Sequence, residues 1–190
     1  MKTGLASKAG VWFLAAAAFA AGPELYRASR FEAGAGGLPA GWRVWSPRPE
    51  TAPRAYVDTA RSRGEAGALA LSGNSNPAVC GGWEYLAGGV VPRRWYRLTL
   101  HYRAEGPLYE PLQVLPRLDW ADASGKRAGQ PDYAWRVDAA EGGWRRVTLE
   151  APAPEGASSV RIQLLLLNAP GATVWWDEIS LLAVEPPAPR

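Results

Sequence analysis

The sequence is poor in the residues that nucleophilic and zinc enzymes use. Among 190 residues it has one cysteine, Cys80, and one histidine, His101. A Ser-His-Asp triad would need His101 as its base, and no Gly-x-Ser-x-Gly motif supplies a nucleophile. Cys80 has no supporting signature around it, and a zinc site would need more His or Cys than the chain contains. The sequence therefore predicts a protein that is not an enzyme.

The single cysteine also excludes a disulfide within the chain. We predict that Cys80 is a small buried residue rather than a reactive thiol. Paired carboxylates are the remaining route to catalysis, because two acids suffice for glycoside hydrolysis. Asp119 and Asp122 are the candidate pair, but Asp122 begins the segment Asp-Ala-Ser-Gly-Lys, whose composition is typical of a hairpin turn. The turn is the preferred interpretation, and a small glycan-active hydrolase is the less favoured alternative.

The charge balance does not indicate a nucleic-acid partner. The chain has 21 basic and 18 acidic residues, and loss of Lys2 and Lys8 with residues 1–20 would leave 19 basic against 18 acidic. Arginine is spread along the sequence, in nothing larger than pairs such as Arg93 and Arg94. Nucleic-acid binding needs a basic patch, so we expect no nucleic-acid partner.

Residues 1–20 have the organisation of a signal peptide, which we expect to be helical. Lys2 and Lys8 give a positive charge before the uncharged apolar stretch of residues 10–21. Ala18-Phe19-Ala20 fits the small-x-small rule for cleavage before Ala21. The stretch is shorter than the roughly 20 residues that span a bilayer; an uncleaved anchor is the alternative. The sequence thus predicts a secreted or periplasmic protein with no membrane span after cleavage.

Aromatic and turn-forming residues are abundant in the rest of the chain. There are ten Trp and seven Tyr against three Phe, together with 21 Gly and 17 Pro. Short extended runs alternate with turn signals roughly every eight to fifteen residues, which is typical of an all-β sandwich or barrel. We predict one β-sandwich domain over residues 24–184. The Pro-rich segment 185–190 is predicted to be a linker or a frayed tail.

The clearest strand is predicted over residues 95–103. Tyr96, Leu98, Leu100 and Tyr102 alternate with polar residues in a strict period of two, so one face should lie in the core. The other predicted strands are 25–31, 42–45, 54–58, 68–71, 82–86, 112–120, 133–137, 144–149, 160–167 and 174–182.

Two details of these strands are also predictions. The last two strands are expected to pair around the turn sequence 168–171. Pro111 and Pro116 favour an edge position or a bulge for the 112–120 strand.

Several fragments follow one another in an order and spacing typical of one group of proteins. They are Phe31-Glu32 with Gly41-Trp42, Gly82-Trp83, residues 95–104 (WYRLTLHYRA), residues 143–149 (GWRRVTL), Pro154-Glu155-Gly156 and residues 174–181 (VWWDEISL). Over about residues 25–184 the chain resembles the jelly-roll carbohydrate-binding modules of families 4, 9 and 22, which are galactose-binding-like β-sandwiches. The resemblance implies a two-sheet antiparallel jelly-roll β-sandwich without enzymatic activity, of a kind that often accompanies a secreted enzyme.

The resemblance also implies a structural Ca²⁺ ion near the joined termini. Members of these families hold it with the Glu of the opening motif and the Asp of the closing motif, which correspond here to Glu32 and Asp177. Calcium prefers several hard oxygen ligands, and the Gly-rich loop after Glu32 can offer carbonyl groups. The alternative is that Glu32 and Asp177 are ordinary acids at strand ends, with Asp177 accepting backbone hydrogen bonds.

A ligand of such a module would lie in a groove on one sheet or in a pocket among the loops. Gln163, Asp119 and Arg117 lie out of phase with apolar neighbours, and we expect them to share the polar face of the 95–103 strand. The candidate hydrogen-bonding residues are Arg97, His101, Arg103, Asp119 and Gln163. The candidate aromatic platforms are Trp83, Tyr85, Trp120 and Trp135; a core position is the alternative for each single Trp.

The function expected from the sequence is that of a secreted, non-catalytic carbohydrate-binding module. Its expected partners are a polysaccharide or glycan and a neighbouring enzyme domain. The main alternative is a protein-interaction or structural β-sandwich that does not bind sugar. A groove with exposed aromatic side chains beside polar ones favours sugar, whereas a flat apolar patch favours a protein partner.

Overall fold

The computed structural model describes residues 22–188, and within this range the chain forms twelve strands and one four-residue helix, α1 (Glu110–Gln113). The predicted signal peptide, residues 1–20, lies outside the described residues. The strands in chain order are β1 (Glu24–Ala28), β2 (Trp42–Trp45), β3 (Arg54–Asp58), β4 (Ala68–Ser72), β5 (Cys80–Gly88), β6 (Trp95–Glu105), β7 (Val114–Ala121), β8 (Asp132–Tyr133), β9 (Arg136–Ala139), β10 (Arg145–Pro152), β11 (Ser159–Leu167) and β12 (Thr173–Val184).

The strands form two antiparallel sheets that pack face to face. The seven-stranded sheet has the order β3-β4-β12-β6-β10-β9, and β1 pairs with the second half of β12. The five-stranded sheet has the order β2-β5-β11-β7-β8. Neighbours in each sheet are mostly far apart in sequence, as in a jelly roll. The predicted all-β class and two-sheet antiparallel jelly-roll sandwich are confirmed.

The core lies between the sheets and is built by the alternation of apolar residues along each strand. In β6, Tyr96, Leu98, Leu100 and Tyr102 are buried, with at most 3% of each residue exposed. Burying a side chain of this size stabilises the fold by about 1.5–3 kcal/mol. The predicted inward face of the 95–103 strand is confirmed.

Three tryptophans lie at the centre of the core with no exposed surface. The indole nitrogen of Trp83 in the five-stranded sheet donates to the carbonyl of Ala70 in the seven-stranded sheet, at 3.1 Å. Trp120 donates to the carboxylate of Asp132 at 2.7 Å. The indole nitrogen of Trp176 has no partner among the described residues. The hydrogen bonds of Trp83 and Trp120 avoid the cost of burying an indole N–H unpaired.

Three of the predicted strand features are wrong. Leu112 lies in α1, with Pro111 in its first turn, so the strand predicted over 112–120 begins at Val114. The strand predicted over 133–137 is split: β8 belongs to the five-stranded sheet and β9 to the seven-stranded sheet. β11 and β12 also lie in different sheets and do not pair around the 168–171 turn. Alternation identifies the buried side of a strand but not the sheet to which the strand belongs.

Three further features concern the ends and the cysteine. Among residues 22–188, no helix has the length and hydropathy that a membrane-spanning segment requires. Residues 185–188 of the Pro-rich tail have no regular secondary structure. Cys80 is a free thiol at the first position of β5 and is half-buried, rather than buried as predicted.

Candidate functional site

The outer face of the five-stranded sheet carries buried polar side chains, which is unusual for a surface that faces solvent. Glu84 in β5 is 2% exposed, Gln163 in β11 is 1% exposed and Arg117 in β7 is 9% exposed. Each alternates with inward-facing apolar residues, so its side chain points away from the core. Charged residues are seldom buried unless they are paired; neighbours on this face must therefore cover and satisfy them.

Strand register places one polar residue from each of the five strands in a single line. Arg43 of β2 lies opposite Glu84, Glu84 lies opposite Gln163, Gln163 lies opposite Arg117, and Arg117 lies opposite Tyr133 of β8. We call these five residues the polar row. Because neighbouring strands are about 4.8 Å apart, the four steps between five strands make the row about 19 Å long.

A continuous chain of hydrogen bonds connects the polar row. Arg43 Nε donates to Glu84 Oε1 at 2.8 Å, and Gln163 Nε2 donates to the other oxygen of Glu84. The amide oxygen of Gln163 accepts from Arg117 Nε at 2.6 Å, and Arg117 Nη1 donates to the hydroxyl of Tyr133 at 2.7 Å. This network fixes the side chains in one arrangement, because each polar group is satisfied by the next.

Two half-buried aromatic rings, those of Trp45 and Tyr133, lie next to Arg117 of the polar row. The guanidinium of Arg117 lies 5.3 Å from the ring centroid of Trp45 and 5.5 Å from that of Tyr133. Trp45 is in β2, so its side chain and that of Arg117 meet across two intervening strands. Gly82 lies opposite Trp45 and leaves that position without a side chain. Cation–π contacts of this type contribute about 0.5–2 kcal/mol each.

An ion-pair cluster lies two residues along the strands from the polar row. Asp119 is 5% exposed, and its two carboxylate oxygens pair with Arg127 at 2.8 Å and with Arg161 at 3.3 Å. Arg161 also donates to the carbonyl of Gly125 at 2.6 Å, which fixes the β7–β8 turn against the sheet. Together with the polar row, this face holds four arginines and two carboxylates, an excess of two positive charges: Arg43, Arg117, Arg127 and Arg161 against Glu84 and Asp119.

The structure separates the predicted hydrogen-bonding residues onto two different sheets. Gln163 and Asp119 lie on the outer face of the five-stranded sheet, in the polar row and in the ion-pair cluster. Arg97, His101 and Arg103 belong to β6 and lie on the outer face of the seven-stranded sheet. The expectation that all five share one surface is therefore wrong.

The β6 arginines are engaged by carboxylates of their own sheet. Arg97 pairs with Glu150 of the neighbouring β10 at 2.5 Å. Arg103 pairs with Glu105, which also binds Arg61. These pairs give both arginines a structural role on the surface.

His101 is buried beside a bulge in β12, where the register with β6 shifts between Asp177 and Ser180. Its Nδ1 lies 3.0 Å from Glu178 Oε2 but without hydrogen-bond geometry. The same carboxylate pairs with Arg63. Burial lowers the pKa of His101 below its ordinary value of 6.5, and the positive charges of Arg63 and Arg146 lower it further, against the opposing effect of Glu178. The folded protein thus favours the neutral form of His101.

The predicted aromatic platforms divide between core and surface. Trp83 and Trp120 are fully buried, so their prediction as exposed platforms is wrong. Tyr85 is half-buried and packs against Tyr26 and Trp42, with ring centroids 4.2 and 5.4 Å away. Trp135 is 80% exposed, and its ring centroid is 6.2 Å from that of Tyr133 in the polar row. Trp135 is the one of the four with a largely free ring.

The two residues predicted to hold calcium are engaged by other groups of the protein. Asp177 is fully buried, and its oxygens accept backbone N–H groups of Arg63, Gly64 and Glu178 at 2.6, 3.2 and 2.7 Å. The side chain of Glu32 is 69% exposed and pairs with Arg30. No group of three or more Asp, Glu, His or Cys side chains within residues 22–188 is arranged to hold a metal ion. Calcium therefore stays a prediction that these contacts do not support.

A sequence signal exists for five residues of the site that the predicted binding residues did not include, Arg43, Trp45, Glu84, Arg117 and Tyr133. Arg43 and Trp45 alternate with the inward-facing residues of β2. Glu84 likewise lies between Trp83 and Tyr85 and points to the opposite face of β5. Tyr133 was predicted to lie in a strand but not at the site. The phase of each residue was visible, but the neighbour relations β2-β5-β11-β7-β8 that bring them together were not.

Comparison with known proteins finds the same fold in solved structures of low sequence identity. No family model matches the sequence, and no curated protein matches it. Among solved structures, the CBM22-1 xylan-binding domain of Xyn10C from Paenibacillus barcinonensis is 17% identical, with a TM-score of 0.59, over 88% of this chain and 98% of that domain.

Two structures from Clostridium thermocellum Xyn10B are also similar. Its C-terminal family 22 carbohydrate-binding module is 13% identical, with a TM-score of 0.57, over 84% of this chain and 92% of that one. A structure of its N-terminal CBM22-1 and GH10 modules with xylohexaose is 11% identical, with a TM-score of 0.59, over 88% of this chain and 30% of that one. At these identities the likeness establishes a shared jelly-roll fold.

Proposed function

We propose that this chain is a secreted, non-catalytic carbohydrate-binding module whose binding surface is the polar row with the rings of Trp45 and Tyr133. The observation that carries the proposal is the polar row itself. Five hydrogen-bonded side chains, one from each strand, line the outer face of a sheet, and two half-buried aromatic rings, that of Tyr133 within the row and that of Trp45 beside it, lie on the same face. A sugar has apolar C–H faces and a rim of hydroxyl groups, so it needs aromatic faces and both donors and acceptors.

The dimensions of the polar row favour an extended ligand. A track of about 19 Å across five strands can contact several consecutive sugar rings of a polysaccharide. The exposed guanidinium of Arg43 and the half-buried Tyr133 hydroxyl can donate to sugar hydroxyls, whereas Glu84, Gln163 and Arg117 are buried and hold these groups in place. Because the side chains already hold one another, little conformational entropy is lost on binding.

Xylan is the first polysaccharide to test. The Paenibacillus barcinonensis domain of the same fold is described as xylan-binding. The Xyn10B module is joined to a GH10 module, so a neighbouring enzyme domain is a partner that we propose by analogy.

The absence of catalysis is part of the proposal and is supported by the environment of the candidate acids. Asp122 accepts hydrogen bonds from Ser124 and from the backbone of Lys126, which lowers its pKa. Asp119 is held by two arginines. A glycosidase needs a general acid with a raised pKa beside a second carboxylate, whereas the pKa of Asp122 is shifted in the opposite direction and the oxygens of Asp119 are occupied by arginines.

The proposal is tested by expressing the full-length chain and purifying the exported protein. The mass of the exported protein shows whether cleavage occurs before Ala21. Binding to soluble xylan, β-glucan and mannan is measured by affinity electrophoresis and calorimetry. Trp45→Ala should weaken binding at least tenfold, equivalent to about 1.4 kcal/mol, because it removes a ring that stacks on the ligand.

The matched control is Trp95→Ala, which removes a half-buried ring from the other sheet and should leave affinity within twofold. The lack of binding to every polysaccharide by the folded protein would overturn the carbohydrate function and favour a protein-docking role. Equal losses in Trp45→Ala and Trp95→Ala would remove the polar row as the binding surface.

A further inference from the structure

A concave surface lies at the side of the sandwich, where the chain passes from β8 in one sheet to β9 in the other. The cavity has a volume of about 510 Å³, within the range of roughly 300–1,000 Å³ typical of small-molecule sites. We call it the edge pocket and define it by six of its lining residues: Tyr102, Tyr109, Glu110, Trp135, Val137 and Arg145.

The polar part of the edge pocket is a three-residue cluster from three different elements. The Tyr102 hydroxyl in β6 donates to Glu110 Oε2 at 2.7 Å. Arg145 in β10 lies with Nε 2.5 Å from the same oxygen and Nη2 3.3 Å from Oε1. Burial raises the pKa of Tyr102, and the nearby Glu110 carboxylate raises it further and also raises the pKa of Arg145. The ion pair of Glu110 and Arg145 balances one charge with the other. A ligand here meets donors and acceptors without net charge.

The rim of the edge pocket is aromatic and unusually exposed. Trp135 is 80% exposed and Tyr109 is 62% exposed. Large aromatic side chains at a pocket mouth leave apolar faces in water, and covering them is favourable by roughly 25 cal/mol per Å². An aromatic rim around a charge-paired polar cluster fits a neutral sugar ring, which has both an apolar face and hydroxyl groups.

The edge pocket is also next to the polar row. Trp135 is two residues after Tyr133, and their ring centroids are 6.2 Å apart. Tyr133 accepts a hydrogen bond from Arg117 within the row. The rings of Tyr133 and Trp135 therefore form a continuous aromatic surface from the end of the polar row to the mouth of the edge pocket.

We propose that the edge pocket is a second glycan subsite, which takes one neutral sugar unit of a chain that leaves the polar row over Tyr133 and Trp135. This inference rests on the proposed function of the polar row. An apolar peptide side chain would bury the Glu110–Arg145 pair without replacing its lost water, at a cost in free energy. A sugar hydroxyl replaces that water with a hydrogen bond.

The test follows the indole N–H signals of Trp45 and Trp135 by nuclear magnetic resonance during titration of residues 21–190 with xylohexaose, cellohexaose and mannohexaose. Both signals should shift with the same hexasaccharide. Affinity for that sugar should fall at least threefold in Trp135→Ala and in Glu110→Gln. The Glu110 carboxylate lies in the pocket and is bound by Tyr102 and Arg145, so its substitution separates binding in the pocket from an indirect effect through the Tyr133 ring. Trp95→Ala is the control and should bind like the wild type.

The outcomes distinguish the two proposals. If Trp45 shifts while Trp135 stays unchanged, or if Trp135→Ala and Glu110→Gln both bind like the wild type, the edge pocket is not a subsite and the polar row stands. If neither indole responds to any of the three sugars, both proposals fall. If Trp135 responds and Trp45 does not, the pocket binds sugar and the row does not.

Discussion

Arg117 is held by three contacts of different kinds before any ligand arrives. It donates to Gln163 from Nε and to Tyr133 from Nη1, and its guanidinium lies against the ring of Trp45. The planar fork of arginine makes these contacts together, whereas a lysine ammonium lacks both the fork and the flat face. Ordering such a side chain on binding would cost about 0.5–1.5 kcal/mol; here the folded protein has already ordered it.

His101 makes stability depend on pH. Its pKa in the folded protein is lowered by burial and by the positive charges of Arg63 and Arg146, with Glu178 opposing them. As the pH falls below 6.5, the unfolded chain binds a proton that the folded protein resists, so stability is lost. We expect the melting temperature to fall between pH 7.5 and 5.5 in the wild type, and to fall less in His101→Gln.

Thermal melts of both proteins across that range, at constant ionic strength, measure the difference. Asp177, whose pKa is raised by burial, is present in both proteins, so the difference between them reports His101. A wild type that gains stability relative to His101→Gln as the pH falls would contradict the neutral, buried histidine.

Strand β5 runs so close to β11 that one of its glycines has no room for a side chain. A Cβ at Gly82 would lie 1.8 Å from the carbonyl oxygen of Leu164. We expect Gly82→Ala to lower the free energy of unfolding by about 1–3 kcal/mol, the usual cost of overpacking. Because Gly82 lies opposite Trp45, the shift should also disturb the aromatic side of the polar row.

Gly88, at the end of the same strand, provides the matched control. A Cβ there would meet no atom within 4 Å, so Gly88→Ala should change stability by less than about 0.5 kcal/mol. Urea unfolding of the two variants and the wild type gives both values. Similar effects of the two substitutions would show that the close approach at Gly82 carries no strain.

The strands also show what could be predicted from sequence and what could not. Strict alternation in residues 95–103 identified both the strand and its buried face. Local chemistry could not tell that Tyr133 ends one sheet while Arg136 begins a strand of the other, because both lie in one short alternating run. Gln163 was correctly predicted to lie on a polar face, but the sheet to which this face belongs depends on long-range pairing with β5 and β7.

A structural Ca²⁺ ion held by Glu32 and Asp177 would stabilise the entire domain. The acceptor oxygens of Asp177 are taken by backbone N–H groups and Glu32 is paired with Arg30. We therefore expect the same melting temperature for residues 21–190 in millimolar Ca²⁺ and in chelator. A site with Ca²⁺ at 100 times its Kd would instead add about 2.7 kcal/mol. Equal concentrations of Mg²⁺ control for ionic strength, and a rise specific to Ca²⁺ would restore the metal site.

The jelly-roll architecture was predictable because many short patterns, each weak, agree in order along the chain. The binding surface was less predictable, since it is assembled from five strands that are scattered between residues 42 and 167. Trp135 is the informative exception. Its exposure follows from its position between β8 of one sheet and β9 of the other, where its ring does not enter the core.

Strand β12 pairs with β1, β4 and β6, and thus occupies the middle of the seven-stranded sheet although it is the last of the strands within residues 22–188. Until residues 173–184 emerge from the ribosome, β4 and β6 have no partner between them. The sheet therefore cannot close progressively during synthesis. Folding must wait for the final strand, and contacts between such distant segments make that closure slow.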